Sequence, residues 1–345
     1  MPDLSRREVL AMAGVASAWS AASPIASSQQ GKTRLGASPS AFGVRSHAGP
    51  FDIVEHCHRI GLGAVQKPLE SVDIEDPTRL RERVEHYGMQ LILEVPVEES
   101  QLPHLETALK ACKAAGAYCL HTAMTQRRYE QFDSLEGFRK DFERCQNLIA
   151  RAEPILKRNR LKLAIENHKG WRAAEQAAWL KRLGSEWVGV CLDFGNNMAL
   201  CEDPMDTLRI LTPYAVMSHI KDMALGSYED GFLLSEVILG QGILNLREMV
   251  RMVREKDANM PIYLEMITRD PLKIPVFTDK YWLTFDDSYS PLPGRDLAKF
   301  LDLVRKNPPK EPLPHTTGLS PAAAVKFEDD NNAGCIDYAR NVLSI

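Results

Sequence analysis

Four short apolar runs in the later part of the chain each end in a side chain that can bind a metal ion. They are Leu163-Ala164-Ile165-Glu166, Val190-Cys191-Leu192-Asp193, Val216-Met217-Ser218-His219 and Ile262-Tyr263-Leu264-Glu265. Apolar runs of this length, separated by amphipathic helical patterns, are typical of buried strands in a parallel sheet. If these strands close into a barrel, three carboxylates and one imidazole meet at a single point.

The same alternation of strand and helix extends over most of the chain. Residues 34–42, 64–68, 91–97 and 118–124 read as four further strands, with helical patterns between them. Eight strand–helix units predict a (β/α)8 TIM barrel, a single domain spanning residues 31–307, with a C-terminal extension. Right-handed crossovers place the C-terminal ends of all eight strands on one face, which is where such barrels build their active sites.

The first 30 residues have the order of an export signal. Ser5-Arg6-Arg7 resembles the twin-arginine motif, an Ala-rich apolar stretch follows, and small residues come after it. We therefore predict a twin-arginine-type signal peptide over residues 1–30 and a periplasmic or otherwise exported protein. A disordered leader rich in Ala and Ser is the alternative interpretation.

Residues 308–345 form the predicted extension. They begin with the Pro-rich stretch 308–314, which predicts a semi-rigid linker. They end in a helical pattern that contains Ile336 and Leu343. This tail packs either on its own barrel or on a second subunit, so a homo-oligomer formed through the tail is one of two interpretations.

Composition and charge restrict the class of protein. The chain has 345 residues, of which 44% are hydrophobic and 26% charged, and its net charge is −4. These values are those of an ordinary globular protein, and they argue against nucleic acid or an anionic membrane as the main partner. No apolar run is long enough to span a membrane. The seven cysteines form no CxxC pair, which favours buried free thiols over disulfides or a zinc cluster.

Each of the four strand-end residues also has a structural interpretation when it is taken alone. Glu166 or Glu265 could pair with a Lys or Arg, Asp193 could cap the following turn, and His219 could be a core histidine. Four such coincidences at the same end of four strands are improbable, so metal binding is favoured. Three carboxylates and one imidazole suit one divalent ion, with Mn2+ first and Mg2+, Co2+ or Zn2+ as alternatives.

Several motifs resemble those of one family, the xylose isomerase-like TIM barrels of the sugar phosphate isomerase/epimerase group. The motifs are Ile165-Glu166-Asn167-His168, Leu192-Asp193-Phe194-Gly195-Asn196, His219-Ile220-Lys221-Asp222, Gly240-Gln241-Gly242-Ile243-Leu244 and Tyr263-Leu264-Glu265. The resemblance implies that Glu166, Asp193, His219 and Glu265 are metal ligands. It also implies that the two glutamates are the catalytic acid/base pair.

The chemistry that this resemblance implies begins at a carbonyl carbon. A divalent ion makes the neighbouring C–H group acidic by stabilising an enediolate, and two carboxylates can then remove and return a proton. We predict a metal-dependent sugar isomerase/epimerase acting on a free or keto sugar. A lyase or hydratase that performs β-elimination on a 3-keto-glycoside is the alternative, and a catalytically silent sugar-binding barrel is a third possibility.

Further polar residues at strand ends are candidates for contact with a small-molecule carbohydrate substrate. Asn196 stands where ketose epimerases of the family often carry His, which predicts a different substrate placement. Lys221 resembles the dehydratase-like and hydrolase-like branches, although it could form a salt bridge with Asp222 instead. The sequence shows no Gly-rich phosphate loop and no obvious basic clamp, so phosphate binding is not predicted. The predicted substrate-binding residues are His168, Asn196, Lys221, His121, Lys67 and Glu94.

Overall fold

A computed structural model describes residues 33–69, 76–285 and 292–345. The predicted signal peptide at residues 1–30 therefore lies outside the described residues. Within them, the strands in chain order are β1 Gly36–Ala37, β2 Ala64–Pro68, β3 Gln90–Glu94, β4 Cys119–Thr122, β5 Leu163–Glu166, β6 Val188–Asp193, β7 Ala215–Ile220, β8 Asp222–Tyr228, β9 Gly231–Val237, β10 Ile262–Leu264 and β11 Leu272–Ile274.

Helices occupy the intervals between the strands and the end of the chain. In chain order they are α1 Gly43–Ala48, α2 Ile53–Arg59, α3 Pro77–His86, α4 Leu105–Ala114, α5 Arg128–Gln131, α6 Leu135–Asn159, α7 Ala173–Leu183, α8 Pro204–Leu211, α9 Leu246–Lys256, α10 Asp279–Trp282, α11 Gly294–Lys306 and α12 Pro321–Tyr338. Short 3-10 turns cover Pro39–Phe42, Leu102–His104, Asn196–Leu200 and Thr212–Tyr214, and a π turn covers Ala339–Leu343. In the part of the chain described, no helix has both the length and the apolar character needed to cross a bilayer.

Eight parallel strands close into a barrel in the order β1-β10-β7-β6-β5-β4-β3-β2. The predicted (β/α)8 fold is thereby confirmed. The first strand is shorter than predicted, because the stretch 34–42 turns into a 3-10 helix at Pro39 after the two paired residues of β1. Proline has no N–H group to donate to a neighbouring strand, which ends the pairing.

The register of the strands places the predicted metal ligands side by side. Asp193 pairs with His219 across β6 and β7, and Tyr263 pairs with His219 across β7 and β10. Glu265 follows Tyr263 by two residues, and its backbone N–H donates to Ile220 O at 2.9 Å. The strand ends that carry the four side chains therefore meet at one edge of the barrel.

The barrel interior below this edge is filled by a small cluster of buried side chains. They are Ala64, Ile92, Cys119, Ala164, Cys191, Met217 and Tyr263. Gly36 permits the Tyr263 ring to lie there, because a Cβ atom at Gly36 would lie 2.5 Å from two carbons of that ring. All seven cysteines of the chain are buried and free, as the sequence predicts.

A second, three-stranded antiparallel sheet was not predicted. It has the order β11-β9-β8 and lies outside the barrel pairing, with β8 and β9 joined by a short turn at Glu229 and Asp230. The sequence Asp230-Gly231 is a hairpin signal that falls within a stretch interpreted only as a connection. This hairpin carries Glu236, which lies at the site described below.

The C-terminal helix α12 packs on the barrel of its own chain. The Glu328 carboxylate accepts hydrogen bonds from Val44 N at 2.6 Å and Arg45 N at 3.0 Å, the backbone donors of α1. Asn332 Nδ2 donates to Ala41 O at 2.7 Å. The contact with its own barrel is one of the two interpretations of the tail, and a role between subunits stays a prediction.

Candidate metal centre and active site

Four side chains converge at the C-terminal edge of the barrel. Glu166, Asp193, His219 and Glu265 are buried, and one ligand atom from each lies within 4.8 Å of those of the other three. Two carboxylates are the last residues of their strands, because the apolar runs of β5 and β6 end there. The structure thus brings together all four residues that the sequence singled out, in a candidate buried metal site.

The imidazole of His219 is oriented so that one nitrogen is free for a cation. Its Nε2 lies 2.8 Å from Oε1 of Gln66, and Gln66 Nε2 donates to Oε1 of Glu94 at 2.6 Å. Since the amide oxygen can only accept, Nε2 carries the proton and Nδ1 carries the lone pair. Nδ1 has no hydrogen-bond partner and lies 3.5 Å from Oε1 of Glu265. Burial lowers the pKa of His219 to about 4, so the ring is neutral, as a metal ligand must be.

Asp193 is held by the turn that follows it and by a buried ammonium group. Its Oδ1 accepts hydrogen bonds from Gly195 N at 2.9 Å and Asn196 N at 2.7 Å, so it caps this turn in addition to facing the cluster. Its Oδ2 lies 2.9 Å from Nζ of Lys221. Burial raises the pKa of Asp193 to about 7, with Lys221 opposing the rise and Glu265 adding to it. A cation among these carboxylates would relieve their mutual repulsion.

Lys221 lies between two of the candidate ligands. Its Nζ contacts Asp193 and donates a short hydrogen bond to Oε2 of Glu265. Burial opposes the charge on the ammonium, but the two carboxylates hold the pKa of Lys221 above its ordinary value. The alternative of a salt bridge with Asp222 is wrong, because the Asp222 carboxylate instead accepts N–H groups of Gly240, Gly242 and Leu244 at 2.9, 3.0 and 3.1 Å.

Glu166 and Glu265 are both ionised carboxylates at neutral pH. Burial alone would raise the pKa of Glu166, but the hydrogen bond from His121 and the nearby imidazoles hold it well below its ordinary value. The atoms of that bond, His121 Nε2 and Glu166 Oε2, are 3.0 Å apart, and Asn196 Nδ2 donates to Oε1 at 2.6 Å. For Glu265, Lys221 outweighs burial and lowers the pKa to about 2. Two ionised carboxylates facing one point can act as bases there.

A cavity of about 260 Å³ opens directly above this cluster. It is lined in part by five of the predicted residues, Glu94, His121, Glu166, His168 and Glu265. Asn196 and Lys221 are not part of the lining, but they donate hydrogen bonds to Glu166 and Glu265, respectively. Lys67 is not part of the lining, because side chains alternate along β2 and Gln66 faces the barrel interior instead.

Four charged residues at the cavity were missed by the sequence reasoning. Arg127, Lys169 and Arg269 line it, and Glu236 accepts hydrogen bonds from Arg269 Nε and Nη2 at 3.2 and 2.6 Å. A signal for two of them was present, since Lys169 comes three residues after Glu166 and Arg269 four residues after Glu265. Glu236 could be found only with the hairpin that carries it.

Comparison with known proteins agrees with this geometry. The family described as "Xylose isomerase-like TIM barrel" matches residues 54–282. The 3-oxo-isoapionate decarboxylase of Pectobacterium atrosepticum is 24% identical over 219 residues, which are 63% of this chain and 72% of that protein.

Solved structures share the same fold at low sequence identity. A D-psicose 3-epimerase crystallised in the presence of D-fructose has a TM-score of 0.56 and 16% identity, over 90% of this chain and 99% of the other. A xylose isomerase-like TIM barrel protein from Mycobacterium smegmatis in complex with magnesium has a TM-score of 0.52 and 15% identity, over 78% and 98%. With two thirds of its length matched by the family and the strand-end cluster in place, the chain belongs to the xylose isomerase-like TIM barrel family.

Proposed function

We propose that this protein is a divalent-metal-dependent isomerase or epimerase of a keto sugar. The observation that carries the proposal is the pairing of Glu166 and Glu265, two ionised carboxylates whose oxygens lie within 4.8 Å of each other and of a free imidazole nitrogen. A sugar-binding barrel without catalysis has no need of two opposed carboxylates. The cavity of about 260 Å³ beside them supplies the place for a substrate.

The residues present fit a divalent cation. Three buried carboxylates and the unpartnered Nδ1 of His219 form an oxygen-rich set, for which we propose Mn2+ as the native ion. When bound, such an ion polarises a carbonyl group and makes the adjacent C–H group acidic. Glu166, Asp193, His219 and Glu265 would hold it.

The two glutamates divide the proton transfers in this proposal. One of Glu166 and Glu265 removes the proton from the carbon next to the carbonyl, and the other returns a proton from the opposite side. Return to the same carbon inverts it, whereas return to the neighbouring carbon exchanges aldose and ketose. The hydrogen bonds from His121 and Asn196 to Glu166, and from Lys221 to Glu265, fix the position of each carboxylate.

A second candidate is bond cleavage next to the same carbonyl, as in a lyase. An enolate-type intermediate formed in this site can expel a β-substituent, and loss of carbon dioxide from a β-keto acid reaches the same kind of intermediate. The support for this alternative is the decarboxylase to which the chain is similar. Asn196 supports it too, because it stands where the ketose epimerases that the sequence resembles often carry His.

The test measures metal content and solvent deuterium uptake together. The purified protein should contain about one divalent ion per chain, and Glu166→Gln/Glu265→Gln should lose it. The holoenzyme should incorporate deuterium from D2O next to the carbonyl of a keto sugar, as read by NMR, and Glu265→Gln should retain the fold and lose the exchange. A protein that takes up no metal, or a Glu265→Gln variant with full exchange, would contradict the proposal. Cleavage products without isomers would select the lyase.

We also propose that residues 1–30 direct export through the twin-arginine route. The support is the Ser5-Arg6-Arg7 motif and the apolar stretch after it. A reporter fused to residues 1–30 should be exported, and Arg6→Lys/Arg7→Lys should abolish that export. Export that is indifferent to both arginines would exclude the twin-arginine route.

A further inference from the structure

One buried positive charge at the cavity is not used by the proposed proton transfers. Lys169 is 3% exposed, and its Nζ donates to the neutral Oδ1 of Asn196. Among the described residues, no carboxylate lies within salt-bridge distance of this ammonium group. Because burial of an unpaired charge is unfavourable, a buried lysine usually faces a counter-ion. Here the open side of Lys169 is the cavity.

The other basic groups of the cavity wall are already neutralised by partners. Arg269 donates two hydrogen bonds to the buried carboxylate of Glu236. Arg127 Nη1 lies 3.0 Å from both carboxylate oxygens of Glu130. Lys169 is therefore the basic group of the described cavity wall that has no carboxylate within salt-bridge distance.

The charge of Lys169 persists at neutral pH. Burial, together with repulsion from Lys221, lowers the pKa of Lys169 to about 8, so the ammonium form still prevails at neutral pH. An anion bound beside it would favour the ammonium form and so oppose that depression.

Asn196 connects the lysine to the candidate metal centre. Its Oδ1 accepts from Lys169 and its Nδ2 donates to Oε1 of Glu166 at 2.6 Å. The ammonium group of Lys169 and the carboxylate of Glu166 are thus hydrogen-bonded to the oxygen and the nitrogen of the same side-chain amide, that of Asn196. A substrate in the cavity that contacts Lys169 with one end has its other end near Glu166.

We propose that Lys169 binds a carboxylate group of the substrate, so that the enzyme acts on a keto sugar acid rather than on a neutral sugar. This inference rests on the proposed function, since it names the substrate class of the same site. One ammonium group without a salt-bridge partner matches the single charge of a carboxylate, whereas a phosphate monoester carries nearly two charges at neutral pH. The contact between the substrate carboxylate and Lys169 also orients the sugar, because the carboxylate end then lies away from Glu166.

Three six-carbon keto sugars and derivatives that differ only at C6 test this inference by equilibrium binding. D-fructuronate has a carboxylate there, D-fructose a hydroxymethyl group and D-fructose 6-phosphate a phosphate. Isothermal titration of the metal-loaded full chain should show D-fructuronate binding at least about tenfold more tightly than D-fructose, the effect of one charge-assisted hydrogen bond. D-fructose 6-phosphate should bind more weakly than D-fructuronate.

Variants at Lys169 separate the effect of its charge on binding from any effect on folding. Lys169→Met should remove the preference for D-fructuronate over D-fructose. Lys169→Arg should retain the preference in part, and Lys181→Met, on the exposed face of α7, should retain it fully. Metal content and Tm of each variant are measured beside the affinities, so that loss of folding is separated from loss of the charge.

The outcomes separate the inference from the proposed function. Equal affinities for D-fructuronate and D-fructose, no binding of either, or an unchanged preference in Lys169→Met would overturn the carboxylate assignment. Tightest binding of D-fructose 6-phosphate, lost in Lys169→Met, would overturn it in favour of a phosphate. Deuterium exchange with a neutral keto sugar would leave the proposed function standing in each of these cases. A Lys169-dependent preference without any exchange would support the carboxylate subsite and contradict the function.

Discussion

Gln66 on β2 determines which nitrogen of His219 on β7 faces the candidate metal centre. The two side chains meet across the barrel, with Gln66 Oε1 2.8 Å from His219 Nε2. Glu94 fixes the Gln66 amide in turn by accepting its Nε2–H group at 2.6 Å. A hydrogen bond of this kind to the distal nitrogen of a histidine ligand sets its tautomer and orientation.

Replacing Gln66 should therefore weaken metal binding without removing a ligand. We expect Gln66→Met to lower the affinity for Mn2+ by about 10- to 100-fold, because His219 loses the acceptor that holds its proton on Nε2. Titration of the metal-free protein with Mn2+ measures this affinity. Gln101→Met, at an exposed position, is the matched control. An affinity equal to that of the wild type would show that the tautomer is fixed by another contact.

Lys221 should stabilise the metal-free protein more than the metal-bound one. In Lys221→Met the carboxylates of Asp193 and Glu265 lose their buried counter-charge. Removal of one partner of such a pair typically costs about 3–5 kcal/mol, and a bound cation recovers part of it. Urea unfolding with and without Mn2+ gives the two free energies of unfolding. A loss of stability that is the same in both states would argue against a shared role for the lysine and the metal.

His56 should make stability depend on pH below neutrality. Burial and the nearby Arg59 lower its pKa to about 4, from an ordinary value of 6.5. Between these two values the unfolded chain binds a proton that the folded chain does not, so stability falls as the pH decreases from about 6.5 to about 4. His56→Phe should reduce this slope by at most about 1.4 kcal/mol per pH unit.

The measurement for His56 is urea unfolding at several pH values between 4 and 7. His104→Phe is the control, since His104 is exposed. The His56 side chain packs against Phe42, with ring centroids 4.9 Å apart, so phenylalanine preserves the packing. An unchanged slope in His56→Phe, with stability reduced equally at all pH values, would assign His56 a packing role alone.

Gly36 should not tolerate even a methyl group. A Cβ atom there would lie 2.5 Å from ring carbons of Tyr263 and 2.9 Å from Cβ of Ala64. We expect Gly36→Ala to destabilise the protein by about 1–3 kcal/mol, as overpacking of a filled core does. Gly43→Ala is the matched control, because a Cβ atom there has nothing within 4 Å. Thermal unfolding compares the two, and equal stability would mean that the Tyr263 ring can move aside.

The strand ends could be predicted from sequence because each local signal agreed with the global fold. The run Val190 to Asp193 lies in the observed strand Val188–Asp193 and ends at the same residue, since a continuous apolar run ends abruptly in a charged residue. Four such endings then specify one edge of a closed barrel, and so the meeting of Glu166, Asp193, His219 and Glu265.

The remainder of the site depends on contacts that have no local pattern. Lys169 is buried and donates a hydrogen bond to Asn196, 27 residues away in the chain, whereas a lysine after a strand end is normally predicted to be exposed to solvent. Arg269 is paired by Glu236, 33 residues away in the chain. Contacts between distant polar residues cannot be derived from periodicity, which reports only which face of an element is apolar.

The Tyr263 ring, which fills the barrel beneath the candidate metal centre, limits the routes by which a small molecule can reach and leave the site. The ring is fully buried and packed among the interior side chains, so the centre of the barrel offers no second exit. Under the proposed function, a substrate and its product enter and leave through the cavity at the strand ends, whose lining includes Arg127, His168 and Arg269. A route shared in this way predicts product inhibition that is competitive with substrate.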